Sequence, residues 1–224
     1  MRPQEIRDKN VDKLMSLGFK PAQWLPLSEQ QTLRPYEEIA ARLYALDALI
    51  CWVVFSEEQT ASQRIKRYMD NNHLSAFMTD DELAIFSLTR SKANQTYIDN
   101  IGWYLENVWA LAWVLGFTIE PEVSIGQLPN DITSALMYDF LPGLEASVDD
   151  ILSANQPRSL EEVVKLEDLY YCAHNAVRSA QLGHDTLPEG YHPISDGGAI
   201  HERRHSLTWC LSPGISWEDT DLST

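Results

Sequence analysis

"RPYEEIAARLYALDALICWVVF", residues 34–55, decides the fold class of this chain. Pro35 suits the first position of a helix, where a missing N–H costs nothing and its fixed φ is already helical. Glu37 and Glu38 then fall in the first turn, where the helix dipole favours acids. Ile39, Leu43, Leu46, Ile50 and Val53 recur at spacings of three and four, the mark of one apolar helical stripe. The pattern predicts a long helix from Pro35 to about Phe55. Tyr44 to Phe55 is also the longest oily run, interrupted by Asp47. It is too short to span a bilayer, which takes about 20 apolar residues.

The same periodicity extends in both directions. A first helix is predicted over Gln4–Leu17, stopping at Gly18, with Pro21, Pro26 and Pro35 in the connection behind it. Glu57–Asn71 reads as a polar, exposed helix. Thr79 and Glu82 form a capping box that opens a helix ending near Leu88. Asn94–Leu115 reads as one apolar helix holding Trp103, Trp109 and Trp113 and closed by Gly116. Gly116–Asp131, with Pro121, Gly126 and Pro129, is a loop with room for one short strand. Two shorter helices, Ile132–Leu141 and Leu144–Ala154, are separated at Pro142-Gly143. A second capping box, Ser159 with Glu162, precedes Val163, Leu166, Tyr170, Ala173, Val177 and Ala180 at helical spacing. Gly183–Gly198 is a second loop, and the last helix runs from Ala199 to about Leu211. The alternation of half-buried strands is nearly absent. The expected fold is all-α: a single helical domain over residues 1–224 with two longer irregular loops.

Of the 224 residues, 44% are hydrophobic, enough for a sizeable core; 17 Lys and Arg stand against 33 Asp and Glu, a net charge of −16. Such a surface repels nucleic-acid phosphates and anionic membranes and favours a basic partner. The acids are dispersed: Asp80, Asp81 and Glu82; Asp149 and Asp150; Glu161 and Glu162; Glu218, Asp219 and Asp221. Cys51, Cys172 and Cys210 are odd in number and lie in apolar, helix-like stretches, which fits reduced, buried thiols rather than a disulfide framework. MRPQEIRDK lacks the apolar core of a signal peptide. Both features point to the cytoplasm.

Five stretches occur together in one order: LRPYEEIAARLYAL (33–46), WYLENVWALAWVLG (103–116), LEDLYYCAHNAVRSA (166–180), ERRHSLTW (202–209) and SWEDTDLST (216–224). In this set, from about Ile6 to Thr224, the chain resembles the bacterial domain-of-unknown-function family 4272. The resemblance implies a mostly helical fold and carries no activity, cofactor or partner. It also implies that the run of Glu202, Arg203, Leu207 and Trp209 is a family feature, whereas a histidine at the place of His201 is not.

The strongest chemical signal is His201-Glu202-x-x-His205, the H-E-x-x-H pattern of zinc proteases. Two histidines at i and i+4 share a helical face and could reach one ion, with Glu202 as general base. A third ligand has to come from His192, His174, Glu167 or Glu218, none at a diagnostic spacing. Arg203 and Arg204 sit between the histidines, and two fixed cations beside a dication are costly. The match is therefore expected to be accidental. A looser metal set would add His184, Asp185, His192 and Asp196 to His201 and His205, but its spacing fixes no ligands.

Glu106 is the only formal charge between Ile101 and Ile119. It is a candidate acid with a raised pKa, or a buried carboxylate paired with Arg203, Arg204 or Arg178; the pairing is favoured, because an isolated buried charge is expensive. Glu167, Tyr171, His174 and Arg178 form a polar stripe on an otherwise apolar helix. A solvated face is the default for such a stripe. A polar seam shared with the last helix is the alternative. No phosphate-binding Gly-rich loop and no G-x-S-x-G elbow is present, and Cys172 and His174, two apart, point to different faces.

The residues thus predict an acidic, non-enzymatic binding protein for a basic partner, such as a toxin to be neutralised or a protein to be regulated, with no cofactor. The competing reading is a metal-dependent hydrolase on His201, Glu202 and His205. The oligomeric state is not encoded legibly.

Overall fold

The computed structural model describes residues 2–27 and 31–224. Ten α-helices follow in chain order: α1 (Pro3–Ser16), α2 (Tyr36–Val54), α3 (Ser62–Asn71), α4 (Asp80–Ser87), α5 (Arg90–Tyr97), α6 (Gly102–Val114), α7 (Asn130–Ser134), α8 (Val148–Ala154), α9 (Leu160–Gln181) and α10 (Ser195–Cys210). A short 3₁₀ turn, Leu74–Phe77, precedes α4, and a π-helical segment, Ala135–Phe140, continues α7. The fold is all-α, as the periodicity predicts, and the described residues contain no strand, including in the loop after Gly116. The chain divides into two compact units. The first comprises residues up to Arg34, Glu120–Leu128 and Arg158–Thr224; the second comprises Pro35–Ile119 and Pro129–Pro157.

In the second unit α2 is the axis, with α3, α4, α5, α6 and α8 packed on it. Its residues from Ile39 through Val53 are all buried. The sequence stripe predicts one buried face; helices on every side bury the rest, including Arg42 and Asp47. Arg42 survives there because Glu82 meets it as a fork, with Nη1 to Oε2 at 2.6 Å and Nη2 to Oε1 at 2.8 Å. Glu82 is the capping-box acid of α4 and also accepts the Thr79 N–H. One carboxylate therefore closes a helix end and neutralises a buried cation.

Three predicted boundaries move. The helix expected over Glu57–Asn71 starts only at Ser62, because the Glu57 carboxylate accepts the Ser62 N–H and holds residues 57–60 as a turn. The helix expected over Asn94–Leu115 is two helices, α5 and α6, joined by a turn through residues 98–101. There Asp99, Asn100 and Gly102 favour turn over helix, and the chain tightens to i→i+3 bonds such as Trp103 N–H to Asn100 O. The helix expected from Leu144 begins at Val148, where Ser147 and Asp150 form a capping box. Gly116 ends α6 as predicted: it takes φ +112°, the Phe117 N–H reaches back to Ala112 O, and a Cβ at Gly116 would stand 2.8 Å from Gln156 O.

The first unit is built on α9, which packs against α1 on one side and α10 on another. Arg7 of α1 grips Asp168 of α9 from Nε and Nη2 at 2.9 and 2.8 Å, and Asn10 bonds the other Asp168 oxygen. The predicted start of α10 at Ala199 is also corrected. The helix begins at Ser195, because the His192 ring accepts the N–H groups of Ile194 and Ser195 on Nδ1 and Asp196 accepts the His192 N–H. This is a helix cap made with imidazole instead of a hydroxyl. Near it α10 approaches α9 so closely that a Cβ on Gly197 would lie 2.5 Å from Val177 Cγ1.

Candidate functional site

The polar stripe of α9 meets α10 along a buried seam. Arg204 donates from Nη1 to His174 Nδ1 at 2.6 Å, and His174 Nε2 lies 3.4 Å from His201 Nδ1. Lower in the seam Thr208 donates to Glu167 Oε1 at 3.0 Å. The Arg204 guanidinium lies 4.7 Å from the centre of the Tyr171 ring. Glu167, His174 and Arg204 are all buried. Of the alternatives for this stripe, the shared seam is what forms. Arg178, one turn further on, is exposed and bonds Gln181 Oε1.

These contacts fix proton positions. An arginine only donates, so His174 Nδ1 must accept, and the His174 proton sits on Nε2, directed at His201 Nδ1. Burial, then the nearby Arg204 charge, lower the His174 pKa to about 3. His201 is lowered by the same two causes in the same order. A histidine this far below neutrality is a weak proton carrier near pH 7, where a general base works best with a pKa close to the ambient pH. Glu167 is shifted upward, chiefly by burial, with Arg204 opposing. Burial lowers Arg204 itself, while Glu167 opposes it. The seam is a neutral histidine held between a buried cation and a second imidazole.

The rest of the H-E-x-x-H stretch is also engaged. His205 Nε2 lies 2.8 Å from Trp217 O, and because a carbonyl only accepts, that nitrogen carries its proton. Arg203 is fully buried and donates to the carbonyls of Glu122 and Ile125 from Nη1 and of Gly126 from Nη2. It clamps the Glu120–Leu128 loop. Glu202 is half-buried. Of the other proposed ligands, His192 caps α10, His184 and Glu218 are exposed, and Asp185 pairs with Lys20 at 2.6 Å. Among the described residues, no group of three His, Cys, Asp or Glu side chains is placed to hold a metal ion.

The seam ends at the C-terminal segment, residues 212–224, which has no helix. Five side-chain bonds hold its backbone. Arg34 Nη2 reaches Ser212 O and Ile215 O at 2.7 and 2.8 Å, and His205 reaches Trp217 O. Arg204 reaches Leu222 O and Ser223 O at 2.8 and 3.1 Å. Arg34 also lies 4.0 Å over the Trp209 ring, and Trp217 packs on His205 with ring centres 4.3 Å apart. Between these anchors Glu218, Asp219 and Asp221 are exposed.

Glu106 is buried on α6 of the second unit, as expected for a lone charge in an apolar helix. Sequence reasoning missed another buried carboxyl there. Asp47 lies in the middle of α2 with the Cys51 thiol 3.6 Å from Oδ1, and burial raises its pKa to about 6 against weaker hydrogen bonding from Cys51 and Tyr68. Its signal was the one charge inside the longest oily run. Cys51, Cys172 and Cys210 are free and buried, and burial pushes the Cys172 thiol up to about 12.

No helix among the described residues is long and apolar enough to cross a membrane. No curated protein and no solved structure matches the chain. The model of the family described as Domain of unknown function (DUF4272) matches residues 7–220, and the chain belongs to that family.

Proposed function

We propose that this protein is a non-enzymatic binding module that presents an ordered acidic segment to a basic protein partner. The observation that carries the reading is the fastening of residues 212–224. Arg34, Arg204 and His205 hold an irregular segment in place from inside, and Glu218, Asp219 and Asp221 stand outward on it. A surface ordered before binding loses less entropy on association, and exposed acids steer a basic partner with a strong salt dependence. The other acidic groups have a nearer use. Asp80 and Asp81, Asp149 and Asp150, and Glu161 and Glu162 lie in the first turns of α4, α8 and α9, where acids favour the helix dipole. Glu82 is buried against Arg42 and takes no part in the surface.

The ring geometry supports this reading over a hydrolase on His201, Glu202 and His205. His201 Nδ1 faces His174, and His205 Nε2 is committed to a carbonyl, so the two histidines do not offer lone pairs to one point. The test is capture from the native host at low and at physiological salt, using the full chain and the variant Glu218→Gln/Asp219→Asn/Asp221→Asn. A specific basic protein retained by the first and lost by the second is expected. Equal capture by both overturns the proposal, as does a full equivalent of zinc that disappears in His205→Ala together with a hydrolytic activity.

A further inference from the structure

The second unit holds a cavity of about 720 Å³ that the acidic-partner reading does not use. Its size falls within the range of roughly 300–1,000 Å³ typical of small-ligand pockets. It opens between the loop after α2, the start of α3, the end of α4 and the start of α5. One wall is aromatic. Phe86 stacks on Trp52 with ring centres 4.4 Å apart and planes 25° from parallel, and the Trp52 N–H is satisfied by Leu88 O. Trp52 is buried while Phe86 is half-buried, and both line the cavity, which gives it a flat apolar wall.

The polar lining is unevenly engaged. Arg90 is nearly buried, and its guanidinium is taken up by the carbonyls of Trp52, Cys51, Phe55, Ser56 and Thr60 and by the Glu57 carboxylate. Glu57 in turn holds the N–H and hydroxyl of Ser62. Arg90 and Glu57 thus offset each other. Lys66 lies on the same cavity, exposed, with its ammonium 5.6 Å from the centre of the Trp52 ring. Among the described residues that leaves the Lys66 ammonium outside any ion pair, beside an aromatic wall, in a chain whose net charge is −16. The nearby groups add donors. Gln59, which accepts the Ser56 N–H on Oε1, brings its amide NH₂ to the lining, and Ser91 adds an exposed hydroxyl.

We infer that this cavity binds a small planar monoanion, an aromatic or similarly flat apolar body bearing one carboxylate. The body would lie against Phe86 and Trp52, and the carboxylate would meet the Lys66 ammonium with hydrogen bonds from Gln59 and Ser91. One cation outside the Arg90–Glu57 pair matches one negative charge, and a dianion such as a phosphate monoester would keep one charge unmatched there.

The experiment uses two probes of the same shape, 2-naphthoate and the neutral 2-naphthylmethanol, titrated into the full chain. Binding is read by calorimetry and by the amide resonances of Thr89–Ser91 and the Trp52 indole N–H. The expected result is saturable 1:1 binding of the carboxylate with Kd of about 1 mM or tighter, a plain range for so small a ligand. The alcohol should bind at least about three-fold more weakly, the order set by one partly exposed charge pair. Lys66→Gln, an exposed substitution that leaves the fold intact, should remove the preference for the carboxylate without changing the alcohol. Absence of saturable binding, equal affinity for the two probes, shifts confined to other residues, or an unchanged preference in Lys66→Gln would each overturn the inference.

Discussion

A histidine that donates from Nε2 to a carbonyl has no lone pair left there for a metal, and His205 does this to Trp217. The side chains of the H-E-x-x-H stretch are engaged within the fold. One histidine ties down a backbone, one accepts from His174, and the arginines between them clamp a loop and the C-terminal segment. Asp47 is a residue whose sequence signal was plain and whose consequence was not. Its carboxyl is buried, burial outweighs the hydrogen bonds from Cys51 and Tyr68, and its pKa rises to about 6. The stability it contributes is full below the ordinary Asp range and is lost as pH rises through about 6. Above that pH the ionised form costs about 3 kcal/mol, at about 1.4 kcal/mol per pH unit. Asp47→Asn should therefore raise the melting temperature at pH 8, with the gain shrinking toward pH 4. Thermal unfolding of both proteins across that range checks it; a variant less stable at pH 8 would contradict the assignment.

Helices were read best where their ends carry ordinary capping chemistry. Thr79 with Glu82, Ser159 with Glu162 and the glycine at 116 each announce a terminus in the sequence, and each terminus is found there. The start of α10 was missed because its cap is an imidazole, His192, backed by Asp196. The break between α5 and α6 was missed because Ile98 and Ile101 continue the apolar period across it, although Asp99, Asn100 and Gly102 weaken the helix there. The seam of α9 and α10 depends on which helix lies opposite, which no single-helix pattern states. Their approach turns on Gly197, where a methyl group would stand 2.5 Å from Val177 Cγ1. Gly197→Ala should cost about 1–3 kcal/mol, the usual range for overpacking a filled contact. Val177→Ala in the same chain should recover part of that loss. Urea unfolding of the single and double variants measures both, and a Gly197→Ala protein as stable as the parent would show that the helices are not held at this distance.

At the scale of the molecule, a net charge of −16 looks like a single property but has several local origins. Acids at the starts of α4, α8 and α9 stabilise helix ends, Glu82 neutralises Arg42, and Asp168 holds Arg7. Composition alone could not sort these, because helix ends, buried pairs and free surface draw on the same two residue types. Glu218, Asp219 and Asp221 stand apart, on a segment without helix that three basic side chains fasten. The proposed role rests on that fastening. Hydrogen exchange across the whole chain at neutral pH tests it most directly, since the amides of Ile215 and Thr220 bond within the segment at 3.2 and 3.4 Å. In the parent protein, residues 212–224 should exchange more slowly than a free peptide. In His205→Ala and in Arg204→Gln that protection should fall, while α2 at the centre of the second unit keeps its own. Exchange of residues 212–224 at the free-peptide rate in the parent, or undiminished protection in both variants, would contradict the account.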